Sequence, residues 1–221
     1  MTIPWPENTF MSKLGLAEAT ALFSTGTDQE FSGSSELSVQ GEPASSVLVL
    51  VEGHVKSVRE ARTGSSSAVI GISGPGDLLG VESAFLHGTW NASHIALRTV
   101  RVRAVRASRL LALAEQDPRI STVVNWALAT QLRLRDAALA YSTHGVPVRL
   151  VALLKKLDER YGVPSEDGRE LDIGLTHGDL AAAIGASTPA VSTCLRDLAE
   201  RHVVRTSHRK ITFLRPLQLA A

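Results

Sequence analysis

At Asp117-Pro118 the chain changes character, so two kinds of architecture must be joined in one polypeptide. Upstream lie most of the 17 glycines and a series of short apolar runs between turn residues, "SVLVLVEGHVKSV", "SSSAVIGISGPGDLLG" and "SHIALRTVRVRAVRA". Val47 to Val51 is a continuous apolar run, whereas Val55, Val58, Val100 and Val102 sit in partly alternating stretches, the patterns of fully and half-buried strands. Turns at this spacing favour a β-sandwich or barrel. "TGSSS", Thr63 to Ser67, reads as a hairpin loop, and no internal repeat is present. Downstream, Arg119 to Ser142 contains neither Gly nor Pro. Ile120, Val124, Ala127, Gln131, Leu134, Ala138 and Tyr141 recur there at alternating spacings of four and three, the seam of a helix. Such a seam either packs on its own domain or pairs with a copy of itself, and periodicity alone does not separate the two.

Composition narrows the classes. A chain of 221 residues is long enough to bury roughly 70% of its unfolded surface without staples. The single cysteine, Cys194, excludes an intramolecular disulfide and any four-cysteine metal site, which suits a reducing, cytoplasmic setting. The first residues carry no basic leader, Glu18 interrupts their best apolar run, and no apolar run reaches the roughly 18 residues of a membrane span. Basic and acidic residues nearly cancel, 23 against 22, so their distribution matters more than their sum. Between Arg196 and Arg215, Arg196, Arg201, Arg205, Arg209, Lys210 and Arg215 face only Asp197 and Glu200, which marks this segment for an anionic partner.

"THGVPVR", Thr143 to Arg149, breaks the long helix and reads as a hinge. A helix near Val148 to Arg160 and a polar loop, "GVPSEDGRE", follow. In "LTHGDLAAAIGASTPAVSTCLRDLAERHVV" Thr176 caps a helix with Asp179 in its first turn, Leu180 and Ile184 face inward, and Gly185 ends it. Ser187 caps a second helix, Pro189 occupies its first turn, and Val191, Leu195 and Leu198 form its buried stripe. Small residues at Ala181, Ala182 and Ala183 permit close approach, and "VVRTSHRKITF" offers a hairpin around Ser207-His208-Arg209. The result is a winged helix-turn-helix for double-stranded DNA. Its second helix would present Thr188, Pro189, Ser192, Thr193 and Arg196 to base edges, with Arg205, Arg209 and Lys210 reaching phosphates. Thr176, Ser187 and Thr188 would add contacts at helix starts.

Over nearly its full length the chain resembles the Crp/Fnr transcription regulators. The residues that carry the resemblance are "GEPASSVLVLVEGHVKSV", "GPGDLLG", the long helix before Tyr141 and the helix-turn-helix segment, in that order. The resemblance implies an α+β chain: an N-terminal cyclic-nucleotide-binding-like β-roll over 1–116, a long dimerisation helix and hinge over 117–144, and a C-terminal winged helix-turn-helix over 145–221. It also implies a homodimer on a palindromic operator with half-sites about 34 Å apart, and RNA polymerase as a further partner. In cyclic-AMP-binding members Gly-Asp-x-x-Gly is followed by a Glu for the ribose and, later, an Arg-Ser for the phosphate. Here Val81 follows Gly80, Glu82 comes one residue late, on the opposite face if the segment is a strand, and Asn91-Ala92 stand at the later pair. With Leu134 on the long helix these residues would line the ligand pocket. Without the Arg an anionic phosphate lacks its neutralising partner, so cyclic AMP held in the family's manner is not expected. The family's base-reading Arg-Glu and later Arg are replaced by Thr188-Pro189 and Thr193, so the operator should differ from the usual half-site.

Other constellations carry less. The family's iron–sulfur sensors need several cysteines, and His54, His87 and His94 are isolated candidates for a haem. Arg98, Arg101, Arg103, Arg106 and Arg109 form a basic run that reads as a solvated face, and Trp126 reads as packing. No metal-binding His-x-His, Gly-x-Ser-x-Gly, phosphate loop or His-Glu-x-x-His is present, so no enzyme is expected. The alternative to a DNA reader is a small-ligand-responsive interaction protein whose helix-turn-helix does not read.

Overall fold

Strand parity explains the continuous apolar run. Successive side chains of a strand point to opposite faces, so a strand covered on both sides is apolar at every position. Val47 and Val49 join one buried cluster with Phe10, Met11, Leu22, Leu110, Ile120 and Val124. Leu48 and Leu50 join the other, with Val55, Trp90, Val100 and Val102. Each such side chain contributes about 1.5–3 kcal/mol by leaving water.

The computed structural model describes residues 5–60 and 67–217. A 3-10 turn at Met11–Lys13 and helix α1 (Leu16–Phe23) precede strands β1 (Thr27–Phe31), β2 (Glu36–Ser38), β3 (Ser46–Glu52), β4 (Val55–Glu60), β5 (Ser67–Ser73) and β6 (Leu78–Leu79). Helix α2 (Val81–Phe85), strands β7 (Ser93–Ala96) and β8 (Val100–Arg106), and helices α3 (Ala107–Gln116) and α4 (Pro118–Ala140) follow. Two four-stranded sheets result, ordered β1-β8-β3-β6 and β2-β7-β4-β5. The pairs β1/β8, β3/β8, β2/β7 and β4/β7 are antiparallel, as a β-roll requires. The expected loop at 63–66 lies outside the described residues. Of the basic run, Arg103 donates to the Phe23 carbonyl and pairs with Asp28 at 2.9 Å, Arg101 pairs with Glu52 at 2.6 Å, and Arg109 lies on α3. That helix replaces the end of the expected β-rich part.

Glu18 does more than interrupt an apolar run. Its carboxylate is buried against Arg119 at 3.1 Å, tying α1 to the start of α4. A hydrogen bond with its own backbone N–H, and then Arg119, hold its pKa below the usual carboxylate range.

The chain's main division into compact units falls inside α4, between Arg135 and Asp136. The seam of α4 is itself divided. Ile120, Val124 and Ala127 are buried in the β-roll core, with Trp126 packed beside them, while Gln131 and Leu134 are half-buried and Ala138 is exposed. Leu132 and Leu139, two turns apart, are 61% and 71% exposed.

The second unit contains α5 (Val146–Tyr161), β9 (Val163–Ser165), β10 (Gly168–Leu171), α6 (His177–Ile184), α7 (Thr188–Glu200), β11 (Val204–Ser207) and β12 (Lys210–Phe213). Its sheet is ordered β11-β12-β10-β9. The segment 162–170, expected as a polar loop, is a hairpin that doubles the width of the wing. Pro164 obscured it, yet β9 is the outermost strand, where a missing N–H costs no ladder bond.

Candidate nucleic-acid interface

Short polar groups fix both helix starts of the second unit. Thr176 Oγ1 accepts the Asp179 N–H at 3.1 Å, and the Asp179 carboxylate accepts the Thr176 N–H at 2.9 Å and its hydroxyl at 2.6 Å. The capping box is complete, with Asp in place of Glu, and it occupies Thr176 as a cap of α6. Gly185 closes that helix at φ +61°, a left-handed conformation that favours glycine. Ser187 then accepts the Ala190 N–H at 3.4 Å, and Pro189 stands in the first turn of α7.

Apolar burial sets how α7 is presented. Val191, Leu195 and Leu198 are buried, as are Leu180, Ala181 and Ile184 of α6 and Leu150, Leu154 and Leu157 of α5. Helices α5, α6 and α7 pack against one another. The opposite face of α7 exposes Thr188, Pro189, Thr193 and Arg196, and Arg196 donates to Thr193 Oγ1 at 3.4 Å. Ser192 is half-buried, and its hydroxyl lies 2.9 Å from His177 Nδ1 at the start of α6. Arg149 of α5 donates to the carbonyls of Ile184 and, at 3.4 Å, Gly185, which holds the turn between the two helices. Neither His177 nor Arg149 was legible as part of the site, because each acts on a group distant in sequence.

Three basic residues expected on the hairpin divide into two kinds. Arg209 is exposed at the tip with φ +56°, and among the described residues it carries no ion pair. Arg205 is paired with Asp167 in the turn between β9 and β10. Lys210 is paired with Glu170 of β10 at 2.6 Å. Both acids come from the hairpin that sequence patterning missed.

The expected ligand residues lie in the β-roll. Gly80 takes φ +79° at the start of α2, and a Cβ there would lie 2.4 Å from the Trp90 ring, so ring and left-handed backbone together demand glycine. Val81 is fully buried in the core with Phe10 and Met11. Glu82 is on a helix, not a strand, so the expected opposite-face argument does not apply to it. Its Oε1 lies 3.9 Å from Arg135 of α4, while its Oε2 is buried with no hydrogen-bond partner among the described residues. Asn91 and Leu134 are half-buried, and Ala92 is fully buried. Next to them His94 is buried, 2.7 Å from Ser38 Oγ and edge-on to Trp90 at 5.2 Å. Burial pushes the His94 imidazole down to about 4, so it is neutral at physiological pH.

Comparison with known proteins agrees with this architecture. Residues 28–117 match the cyclic nucleotide-binding domain and residues 148–221 the Crp-like helix-turn-helix domain. The chain is 28% identical to the CRP-like cAMP-activated global transcriptional regulator of Mycobacterium tuberculosis over 78% of this chain and 77% of that one. It is 25% identical to the global nitrogen regulator of Synechococcus elongatus over 87% of each. Among solved structures, FixK2 from Bradyrhizobium japonicum superposes with a TM-score of 0.78 at 22% identity, covering 89% of this chain and 98% of that one. With both domains matched in this order, the chain belongs to the Crp/Fnr family of transcription regulators. Among the described residues no helix is long and apolar enough to cross a membrane.

Proposed function

We infer that this regulator acts in the cytoplasm as a homodimer on a two-fold symmetric operator, each copy placing α7 in a major groove, with half-sites about 34 Å apart. The observation that carries the reading is the exposed face of α7: Thr188, Pro189, Thr193 and Arg196 stand opposite a fully buried stripe, on a helix fixed by caps at its start. Thr193 and Arg196 read base edges, while Ser187, Thr188 and the wing position the helix on phosphates. Dimerisation rests on the far half of α4, where the exposed Leu132 and Leu139 await an apolar partner. RNA polymerase is the partner that a bound regulator of this kind would meet. No enzymatic step is assigned to the chain.

Control by cyclic AMP in the family's manner does not fit these residues. Val81 turns its side chain into the core where the resemblance calls for a ribose-binding Glu. Asn91 and Ala92 supply no cation for a phosphate, and the Trp90 ring is held against Gly80.

Selection of genome fragments by the purified protein, with and without cyclic AMP or cyclic GMP, tests the reading. One palindromic site enriched without nucleotide is the expected result. Enrichment only with nucleotide overturns the pocket reading, and no enrichment under either condition favours an interaction protein whose helix-turn-helix does not read. Arg196→Ala should lower the preference for the operator over mismatched sites by about 1–3 kcal/mol in competition. An unchanged preference would mean that α7 is placed wrongly.

A further inference from the structure

The wing brings its own competitor for phosphate. Cations on a winged hairpin gain affinity by displacing the counterions of the duplex, and each phosphate neutralised steepens the salt dependence by about 0.9 in log–log slope. That gain is available only to a cation not already neutralised. Arg205 and Lys210 are both neutralised, and by acids of one hairpin: Asp167 in the β9–β10 turn and Glu170 on β10. The sheet order β11-β12-β10-β9 sets β10, with Glu170, directly beside β12, with Lys210, while Asp167 in the preceding turn reaches Arg205 of β11.

We propose that Asp167 and Glu170 compete with DNA phosphate for Arg205 and Lys210, so that the β9–β10 hairpin suppresses sequence-independent binding and leaves discrimination to α7. The inference rests on the DNA-binding reading above. To contact a phosphate, each cation must exchange a carboxylate for it, and an exchange gains far less than a new pair. Arg209, with no such acid, delivers its full contribution at the tip. Phosphate contacts are shared by operator and random duplex, so the acids lower affinity for both alike and leave the ratio between them to α7. The two pairs are unequal. The Lys210 and Glu170 side chains are 36% and 24% exposed, against 58% and 54% for Arg205 and Asp167. Salt screens the more enclosed pair less, so Glu170 is the stronger competitor.

The test is a salt titration of full-length protein on a random-sequence duplex. Glu170→Gln and Asp167→Asn each keep shape and remove charge. Both should bind the duplex several-fold more tightly near about 50 mM salt and steepen the salt slope by about 1 for each cation freed. Glu170→Gln should show the larger gain. Adding Arg205→Ala to Asp167→Asn should cancel that variant's gain, because the freed cation is then absent. Unchanged or weaker binding with an unchanged slope overturns the proposal and leaves the DNA-binding reading intact. A gain that survives Arg205→Ala reflects diffuse charge and overturns the pairing. If neither the natural chain nor any variant binds duplex DNA at low salt, the DNA-binding reading fails with it.

Discussion

Beside Trp90 the polar pair His94 and Ser38 is buried in the β-roll, whereas one face of α7 holds its polar groups exposed. His94 bonds Ser38, lies edge-on to Trp90 and stays neutral, while Val81 and Ala92 fill positions that polar residues could have occupied. On α7 the buried stripe is purely aliphatic, and Thr188, Thr193 and Arg196 are left to solvent. Burial in the first region commits the His94 imidazole and the Ser38 hydroxyl to each other. In the second it fixes a scaffold and leaves hydrogen-bonding capacity free. One chain thus contains a buried polar pair and an exposed polar face. The same family architecture carries both.

The comparison can be broken most severely at the α7 scaffold. Leu195→Ala should destabilise the second unit by about 2–5 kcal/mol, read from denaturant midpoints, and abolish operator binding along with it. Intact stability would mean that the stripe is not what holds the open face. Next comes the buried pair. Since the folded state keeps His94 neutral down to about 4 and the unfolded chain protonates it near 6.5, its contribution is complete above pH 6.5 and is lost as pH falls toward 4. The loss should reach about 3 kcal/mol at the acid end. Unfolding curves across that range should show the slope in the natural chain and a flatter one in His94→Gln. Thr176→Ala removes one cap of α6 and should cost about 1 kcal/mol in the same assay. The smallest change in stability is expected at the open surface. Arg209→Ala should leave the unfolding midpoint unchanged, weaken binding alike on all sequences and flatten the salt slope by about 1.

What could be read in advance was short in range. The caps at Thr176 and Ser187, the glycine at 185 and the stripe Val191, Leu195 and Leu198 lie within a few residues of the groups they act on. Strand parity likewise made β3 legible as a strand covered on both faces. Glu82 was misplaced because a five-residue helix after Gly80 leaves too little periodicity to tell it from a strand. The β9–β10 hairpin was missed because its strands are short, polar and interrupted by Pro164.

The sequence by itself determined the order of the two architectures and the turn between the paired helices, since these follow from local chemistry at named positions. Only the tertiary structure decided that Ser192 faces His177, that Arg149 holds the α6–α7 turn, and that Arg205 and Lys210 are already paired with Asp167 and Glu170. A charge count along the chain registers such residues as cations available to DNA. Whether they are available depends on which acid the fold brings within about 4 Å, and that is a property of strand pairing between segments far apart in the sequence.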